Sequence, residues 1–229
     1  MANRQRFLYA HHVQEASLFL APLLVSPRRR AAFVERISGI ATSPDKAKTL
    51  ALLQPLHNQA ALDLGFQETY FAEQVHGAGI AVITKSSPQM TPGVDGLVTH
   101  QDLLLGIHVA DCGALYLLDQ ETQAFGLLHS GKKGTELNIT GKAIAAMAEN
   151  FGTSPSNLIA ILSPCIRPPH YEIDFASTIR EQALDAGITS ENYHDCRLCT
   201  ASDLDRFYSY RLEKGNTGRL LALLGRTSS

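Results

Sequence analysis

An aspartate, a cysteine and a histidine lie close together within residues 106–134 of this 229-residue chain. Asp111 and Cys112 follow one apolar run, and His129 closes the next. We predict that each run is a buried strand that ends at a polar corner next to glycine. Carboxylate, thiol and imidazole groups at such corners could form a metal site or a Cys/His nucleophile pair.

A second histidine, His76, offers a third side chain for this site. It precedes a glycine in Gln74-Val75-His76-Gly77, just before a predicted strand at residues 80–84. A lone histidine is usually a packed or surface residue, and a lone cysteine is usually a small apolar core residue. Taken together, His76, Cys112 and His129 indicate a functional site, because each lies at the end of an element, beside or close to a glycine.

Strands and helices must position these corners, and the pattern of apolar residues predicts both. Strands are predicted at residues 6–9, 80–84, 97–98, 103–109, 115–118, 125–129, 158–162 and 220–224. Helices are predicted at residues 43–64, with Asp45 in the first turn and a break at Pro55, at residues 134–151, and from Asp174 to residue 186. In the second helix the predicted buried face comprises Leu137, Ile144, Met147, Ala148 and Phe151.

Composition and charge exclude several classes of function. A net charge of −2 argues against binding to nucleic acid or to an anionic membrane, and we interpret Arg28-Arg29-Arg30 as a solvated loop. The apolar run at residues 18–25 is far shorter than the ~20 residues that span a bilayer, and no secretory signal precedes it. We therefore expect a cytoplasmic protein. We also expect a monomer or a weak homodimer, which the composition does not decide.

Four cysteines in a chain of this size do not indicate a disulfide framework. Cys196 and Cys199 form a CxxC pair that could suggest a zinc knuckle or a redox site. A structural zinc usually recruits a second close pair of ligands, which this chain lacks. We therefore interpret Cys196 and Cys199 as ordinary reduced thiols.

The motifs of the chain, taken in order, resemble those of the laccase-domain or polyphenol oxidase family of bacterial proteins. They are QVHG, VDGLVT, VADC, LLHSGKKG, SPCI with HYEI, and CT with FYSYR and TGR. Members of that family are also described as purine nucleoside phosphorylases. The resemblance extends from Gln74 to Arg219, and it implies an α+β (α/β) fold in which an α/β/β/α sandwich with mixed sheets forms one domain over residues 1–229.

The resemblance also implies which residues form the site. It implies a zinc ion bound by His76, Cys112 and His129, with an open fourth position for water or substrate. Asp111 is implied as an acid/base group or as a support for the metal ligands. Gln74, Lys133 and Arg36 are implied as the residues that bind substrate.

Departures from the family pattern affect the substrate side of the site. Lys132-Lys133-Gly134 replaces the usual W-R-G, which keeps a cation but loses the flat guanidinium fork and the tryptophan. His108 is an additional histidine four residues before Cys112, and we predict a role in the core or at the rim of the site.

The function that the resemblance implies is phosphorolysis of purine nucleosides, such as adenosine or inosine, into free base and ribose 1-phosphate. Adenosine deamination is a further activity that it implies. The alternatives are a copper-dependent polyphenol oxidase, a metal-free Cys/His hydrolase or deamidase, and a divergent member that keeps the metal only for structure.

Overall fold

The computed structural model describes residues 18–228, and the strands of that region form two sheets. The strands are β1 (Arg29–Val34), β2 (Tyr70–Ala72), β3 (Ile80–Val82), β4 (Met90–Thr91), β5 (Gly96–Thr99), β6 (Leu104–Val109), β7 (Gly113–Asp119), β8 (Phe125–Ser130), β9 (Leu158–Leu162), β10 (Tyr193–Asp195) and β11 (Leu220–Arg226). Sheet one has the order β1-β11-β6-β2-β4, and sheet two has the order β10-β9-β7-β8-β5-β3. Both sheets combine parallel and antiparallel pairs.

Helices cover the outer face of each sheet. The α-helices of the described region are α1 (Lys46–Asp63), α2 (Lys132–Glu136), α3 (Ile139–Phe151) and α4 (Phe175–Asp185). Short 3-10 helices are found at Leu18–Leu23, Pro155–Asn157, Ser190–Asn192 and Thr200–Ser202. Within residues 18–228, none of the helices has both the length and the hydropathy that crossing a bilayer requires.

Strand β7 shows how the layers are built. Ala114, Tyr116 and Leu118 point into a core between the two sheets, whereas Leu115 and Leu117 point into a second core under α3 and α4. A third cluster packs α1 against the outer face of sheet one. A strand that is buried on both faces must be apolar throughout, which explains the continuous hydrophobic run. The predicted α/β/β/α sandwich with mixed sheets is therefore confirmed.

Most predicted elements lie where the sequence placed them. The strand ends differ from the prediction by at most two residues. The predicted cap of α4 is also present, since the Asp174 carboxylate accepts a hydrogen bond from the Ser177 amide at 3.1 Å. The strand predicted at residues 6–9 lies outside the described residues.

The predicted break of the first helix at Pro55 is wrong. Helix α1 begins after Asp45, whose carboxylate accepts hydrogen bonds from the Ala47 and Lys48 amides, and it continues through Pro55 to Asp63. Proline inside a helix costs about 3 kcal/mol because one backbone hydrogen bond is lost. Packing of residues such as Leu53 and Ala60 in the core offsets this cost.

The single helix predicted at residues 134–151 is two helices. Asn138 has a left-handed backbone with φ of 55°, and its side chain caps α3 by accepting a hydrogen bond from the Gly141 amide. Asparagine tolerates this conformation better than most residues and is a good N-cap. The break leaves Leu137 51% exposed, and Ala148 is exposed as well, so both were assigned wrongly to the buried face.

The interpretation of Arg28-Arg29-Arg30 as a solvated loop is also wrong. Arg29 begins β1 and is only 2% exposed. Its guanidinium lies 4.6 Å from the centre of the Phe125 ring and donates a hydrogen bond to the Gln123 carbonyl at 3.1 Å. A long cationic side chain can be buried in this way when its stem packs on apolar surface.

Candidate metal centre

Three side chains from three different segments meet at one end of sheet two. His76 lies in the loop between β2 and β3, Cys112 immediately precedes β7, and His129 lies in β8. Their ligating atoms all lie within 4.8 Å of one another. Within residues 18–228 this is the one group of three or more His, Cys, Asp or Glu side chains arranged in this way. The structure thus brings together the three predicted metal ligands.

Backbone conformations at the site are unusual. Gln74, His76 and Asp111 have φ values of 64°, 60° and 78°, in the left-handed region that residues other than glycine rarely adopt. Such residues cluster at functional sites, where the surrounding contacts hold them in place. The Gln74 side chain supplies one contact, since it donates to the His108 carbonyl at 2.6 Å and accepts from the His108 amide at 2.9 Å.

Asp95 organises the site, and the sequence analysis missed it. This fully buried carboxylate lies 2.8 Å from His129 Nδ1 and accepts hydrogen bonds from the His76 amide at 2.9 Å and the Gly77 amide at 2.7 Å. A proton on His129 Nδ1 donated to Asp95 leaves Nε2 free to bind a metal, as carboxylate partners of metal-binding histidines commonly do. One carboxylate therefore fixes two of the three candidate ligands.

Electrostatics favours a thiolate at Cys112. Burial raises the pKa of Cys112, but hydrogen bonds from His129 and His76 outweigh burial and bring this pKa down to about 6. Burial lowers the pKa of His129, while Asp95 and Cys112 raise it to about 9. In the metal-free protein these values describe a thiolate beside an imidazolium, so metal binding would release the proton of His129.

The donor set fits a transition metal. Zinc–sulfur and zinc–nitrogen distances of about 2.3 and 2.0–2.1 Å would place the ligand atoms of a tetrahedral ion roughly 3.5 Å apart, which the spacing of 4.8 Å or less allows. His76 is exposed and lines the pocket described below, so a fourth position there would be open to a small molecule. Imidazole and thiolate ligands suit zinc and copper alike.

Asp111 holds the chain in front of Cys112. Its carboxylate accepts one hydrogen bond from the Thr200 hydroxyl and one from the Arg211 amide, both at 2.7 Å. The Asp111 carbonyl also accepts a hydrogen bond from the Ile166 amide at 2.8 Å. These contacts connect the start of β7 to three distant segments and thereby support the position of Cys112.

A pocket of about 680 Å³ opens beside the three candidate ligands. Gln74, Asp111 and Lys133 line it, whereas Arg36 does not. The Arg36 guanidinium instead pairs with Glu213 at 2.7 Å. The residues that line the pocket and were missed by the sequence analysis include Lys46, Tyr210 and Arg219. Of these, Arg219 and Tyr210 carried a signal, because Arg219 ends the TGR motif and Tyr210 lies in the FYSYR motif.

His108 has the core and rim role that was predicted. Its ring stacks on Phe71 with centroids 5.0 Å apart, and it lies 5.3 Å from the ring of His57. Part of His108 also lines the pocket. The residue does not belong to the group of candidate metal ligands.

Comparisons with known proteins place this chain in a family and agree with its fold. The model of a family described as multi-copper polyphenol oxidoreductase laccase matches residues 45–176 and 170–227. Purine nucleoside phosphorylase YlmD of Geobacillus stearothermophilus is 30% identical over an alignment of 193 residues that covers 67% of this chain and 70% of that protein. A purine nucleoside phosphorylase of Deinococcus radiodurans is 30% identical over 243 residues, covering 91% and 92% of the two chains.

Solved structures share the same architecture. The crystal structure of YlmD from Geobacillus stearothermophilus matches with a TM-score of 0.77 and 25% identity, covering 88% of this chain and 93% of that one. The crystal structure of the Bacillus licheniformis hypothetical protein YfiH matches with a TM-score of 0.79 and 21% identity, covering 87% and 93%.

Proposed function

This chain belongs to the multi-copper polyphenol oxidoreductase laccase family, and from that membership we propose that it is a zinc-dependent purine nucleoside phosphorylase. The proposed reaction converts adenosine or inosine and phosphate into free base and ribose 1-phosphate. We propose that it takes place in the cytoplasm, and that the enzyme is a monomer or weak homodimer whose residues 1–229 form one domain. The names of the relatives support this activity. The observation that carries the proposal is a His-Cys-His group in the wall of a pocket that is also lined by lysines.

Residues of the chain have distinct roles in this proposal. Zinc held by His76, Cys112 and His129 would supply Lewis-acid chemistry, polarising an oxygen near the scissile bond. Asp95 keeps His129 in the orientation and tautomer that binding requires. Asp111 positions Cys112 through its contacts with Thr200 and Arg211.

Of the three residues predicted to bind substrate, Lys133 and Gln74 line the pocket and Arg36 does not. Lys133 is exposed and lines the pocket, so its ammonium group can attract phosphate as a point charge. Gln74 also lines the pocket, but its amide holds the backbone of His108, so its role is to fix the loop that carries His76. Arg36 acts at a distance by fixing Tyr208 and Glu213.

A second candidate function rests on Cys112 itself. A thiolate beside an imidazolium is the arrangement of a Cys/His hydrolase or deamidase, in which Cys112 attacks and His129 transfers the proton. Two further candidate activities use the same metal centre. These are deamination of adenosine to inosine and, with copper bound, oxidation of phenols.

The products distinguish these activities. Protein purified with its metal is incubated with adenosine or inosine, with and without phosphate, and free base, ribose 1-phosphate and inosine are measured. We expect ribose 1-phosphate and free base only when phosphate is present. Base release at the same rate without phosphate would contradict phosphorolysis, and conversion of adenosine to inosine would identify the deaminase. Loss of activity in Cys112→Ala, but not in the matched Cys196→Ala variant, would assign the activity to this centre.

A further inference from the structure

Two cations enter the pocket from the side of sheet one. Lys46 is the first residue of α1, and Arg219 immediately precedes β11. Leu220 pairs with Val109 in the sheet, so Arg219 lies beside the chain that leads to Cys112. Lys132 and Lys133 instead follow β8 of sheet two. Lys46 and Arg219 are therefore separate from the pair Lys132 and Lys133, and Arg211 and Lys214 line the pocket as well.

Neither Lys46 nor Arg219 forms a salt bridge with a carboxylate of residues 18–228. The one side-chain hydrogen bond found for Arg219 joins its Nη1 to the carbonyl of the adjacent Gly218 at 2.7 Å. Arg211 lines the same pocket but does have a carboxylate partner, since it pairs with Glu172 at 3.0 Å. The remaining N–H groups of the Arg219 guanidinium therefore have no carboxylate partner among residues 18–228.

The surroundings make these cations unfavourable without an anion. Burial lowers the pKa of Arg219 more than Tyr210, Cys112 and Asp111 raise it. Burial together with the charge of Arg219 lowers the pKa of Lys46. The adjacent His108 and His57 are neutral rings whose pKa values burial also lowers. Arg219 is partly buried, so its charge costs free energy when no close partner compensates it, and a bound anion would offset that cost. Lys46 is exposed, and its charge would add to the attraction for the anion.

We propose that Lys46 and Arg219 form an anion subsite that binds a phosphate group. Arginine can hold two phosphate oxygens with its planar fork, and lysine adds a point charge. The inference rests on the proposed function for the source of that group, which is either inorganic phosphate or the phosphate of a phosphorylated nucleoside. In the first case the subsite holds the nucleophile of phosphorolysis; in the second, the preferred substrate is a nucleotide.

Direct binding tests the subsite without any need for turnover. The affinities of inorganic phosphate and of adenosine 5′-monophosphate are measured by calorimetry on the metal-containing protein and on Arg219→Gln and Lys46→Gln. Lys48→Gln is the matched control, because Lys48 lies two residues from Lys46 on the same helix, has the same charge and does not line the pocket. Arg180→Gln, an exposed change on α4, is the control for arginine.

We expect each pocket variant to weaken at least one of the two ligands by about tenfold or more, with both controls within twofold of wild type. Weakening of both ligands, or of inorganic phosphate alone, identifies the subsite of inorganic phosphate. Weakening of the nucleotide alone identifies a subsite for a phosphorylated nucleoside. Wild-type affinities in both pocket variants, or no binding of either ligand by the wild type, would overturn the subsite.

The inference and the proposed function can fail separately. If no nucleoside is cleaved but phosphate binding still depends on Arg219, the subsite stands and the reaction is wrong. If phosphorolysis occurs while both pocket variants bind inorganic phosphate and adenosine 5′-monophosphate with wild-type affinity, the reaction stands and the subsite is wrong. Lys46 is exposed, so Lys46→Gln keeps the test valid even if Arg219→Gln does not fold.

Discussion

Two neighbouring corners of sheet two carry cysteines in opposite chemical environments. Cys112 precedes β7 and Cys165 follows β9, and these strands are antiparallel neighbours, so both residues lie at the same end of the sheet. Two histidines surround the sulfur of Cys112, whereas Cys165 forms a backbone bridge with Cys199, next to Cys196. Burial raises the pKa of Cys112 and of Cys196 alike. Hydrogen bonds from the two histidines bring the pKa of Cys112 down to about 6, whereas the pKa of Cys196 rises to about 11.

The contrast teaches that the partners of a thiol, and not its burial, decide whether it can bind a metal or react. At the second corner, the nearby cation is already neutralised, since Arg167 forms a two-pronged ion pair with Asp195. The described residues contain no group of three ligating side chains there. The interpretation of Cys196 and Cys199 as reduced thiols agrees with this arrangement, in which all four cysteines are free.

Thiol reactivity should show the largest difference between the corners. In metal-free protein at pH 7, a pKa of about 6 leaves roughly nine tenths of Cys112 as thiolate, against about one part in ten thousand for a pKa of about 11 at Cys196. We expect iodoacetamide to modify Cys112 first, with a rate that falls as the pH is lowered through about 6. Peptide mass spectrometry measures both rates, and similar rates at pH 7 would break the comparison.

Carboxylates at the two corners should also differ in their effect on the metal. Asp95→Asn removes the negative charge and one of the two acceptor oxygens that hold His129 and the loop of His76, so we expect metal affinity to fall about 10- to 100-fold. Asp195 pairs with Arg167 and accepts a hydrogen bond from the Arg197 amide, away from the metal ligands, so Asp195→Asn should leave metal affinity unchanged. Competition with a chromogenic chelator measures both affinities. Equal losses in the two variants would show that the effect is general destabilisation.

The smallest effect is expected for the two lysines that follow β8, close to the Cys112 corner. Lys133 is exposed and has no ion-pair partner among the described residues, so Lys133→Ala should raise the phosphate KM about tenfold, or ~1.4 kcal/mol. Lys133→Arg should retain phosphate use. Lys132→Ala should do little, because Lys132 lies 4.0 Å from Glu136 on the exposed surface. An unchanged phosphate KM in Lys133→Ala, with the metal still bound, would make both lysines solvated loop residues.

The predictable part of the molecule follows local patterns. Alternation and apolar runs predicted the strands that position Cys112 and His129, and the family resemblance joined His76 to them. Helix ends were less predictable, because the break at Asn138 depends on one left-handed residue and its cap. A run of three arginines is typical of a solvated loop, and the contact that buries Arg29, with the Phe125 ring, comes from a distant part of the sequence.

Long-range pairing decides the part that could not be predicted. Asp95 precedes a glycine and a strand, which is typical of a turn, and it reaches His129 only because β5 pairs with β8. Lys46 and Arg219 are more than 170 residues apart and line one pocket because α1 and β11 belong to the same side of the sandwich. Arg36 was assigned to substrate, but Glu213 and Tyr208 hold it outside the pocket.

Metal content of two cysteine variants tests the central claim most directly. Wild type, Cys112→Ala and Cys199→Ala are purified without added metal and measured by mass spectrometry of the elements, with circular dichroism as the check on folding. We predict one zinc per chain in wild type and in Cys199→Ala, and almost none in folded Cys112→Ala, because two imidazoles alone bind the ion weakly. Full zinc occupancy in folded Cys112→Ala would contradict the assignment of the metal to His76, Cys112 and His129.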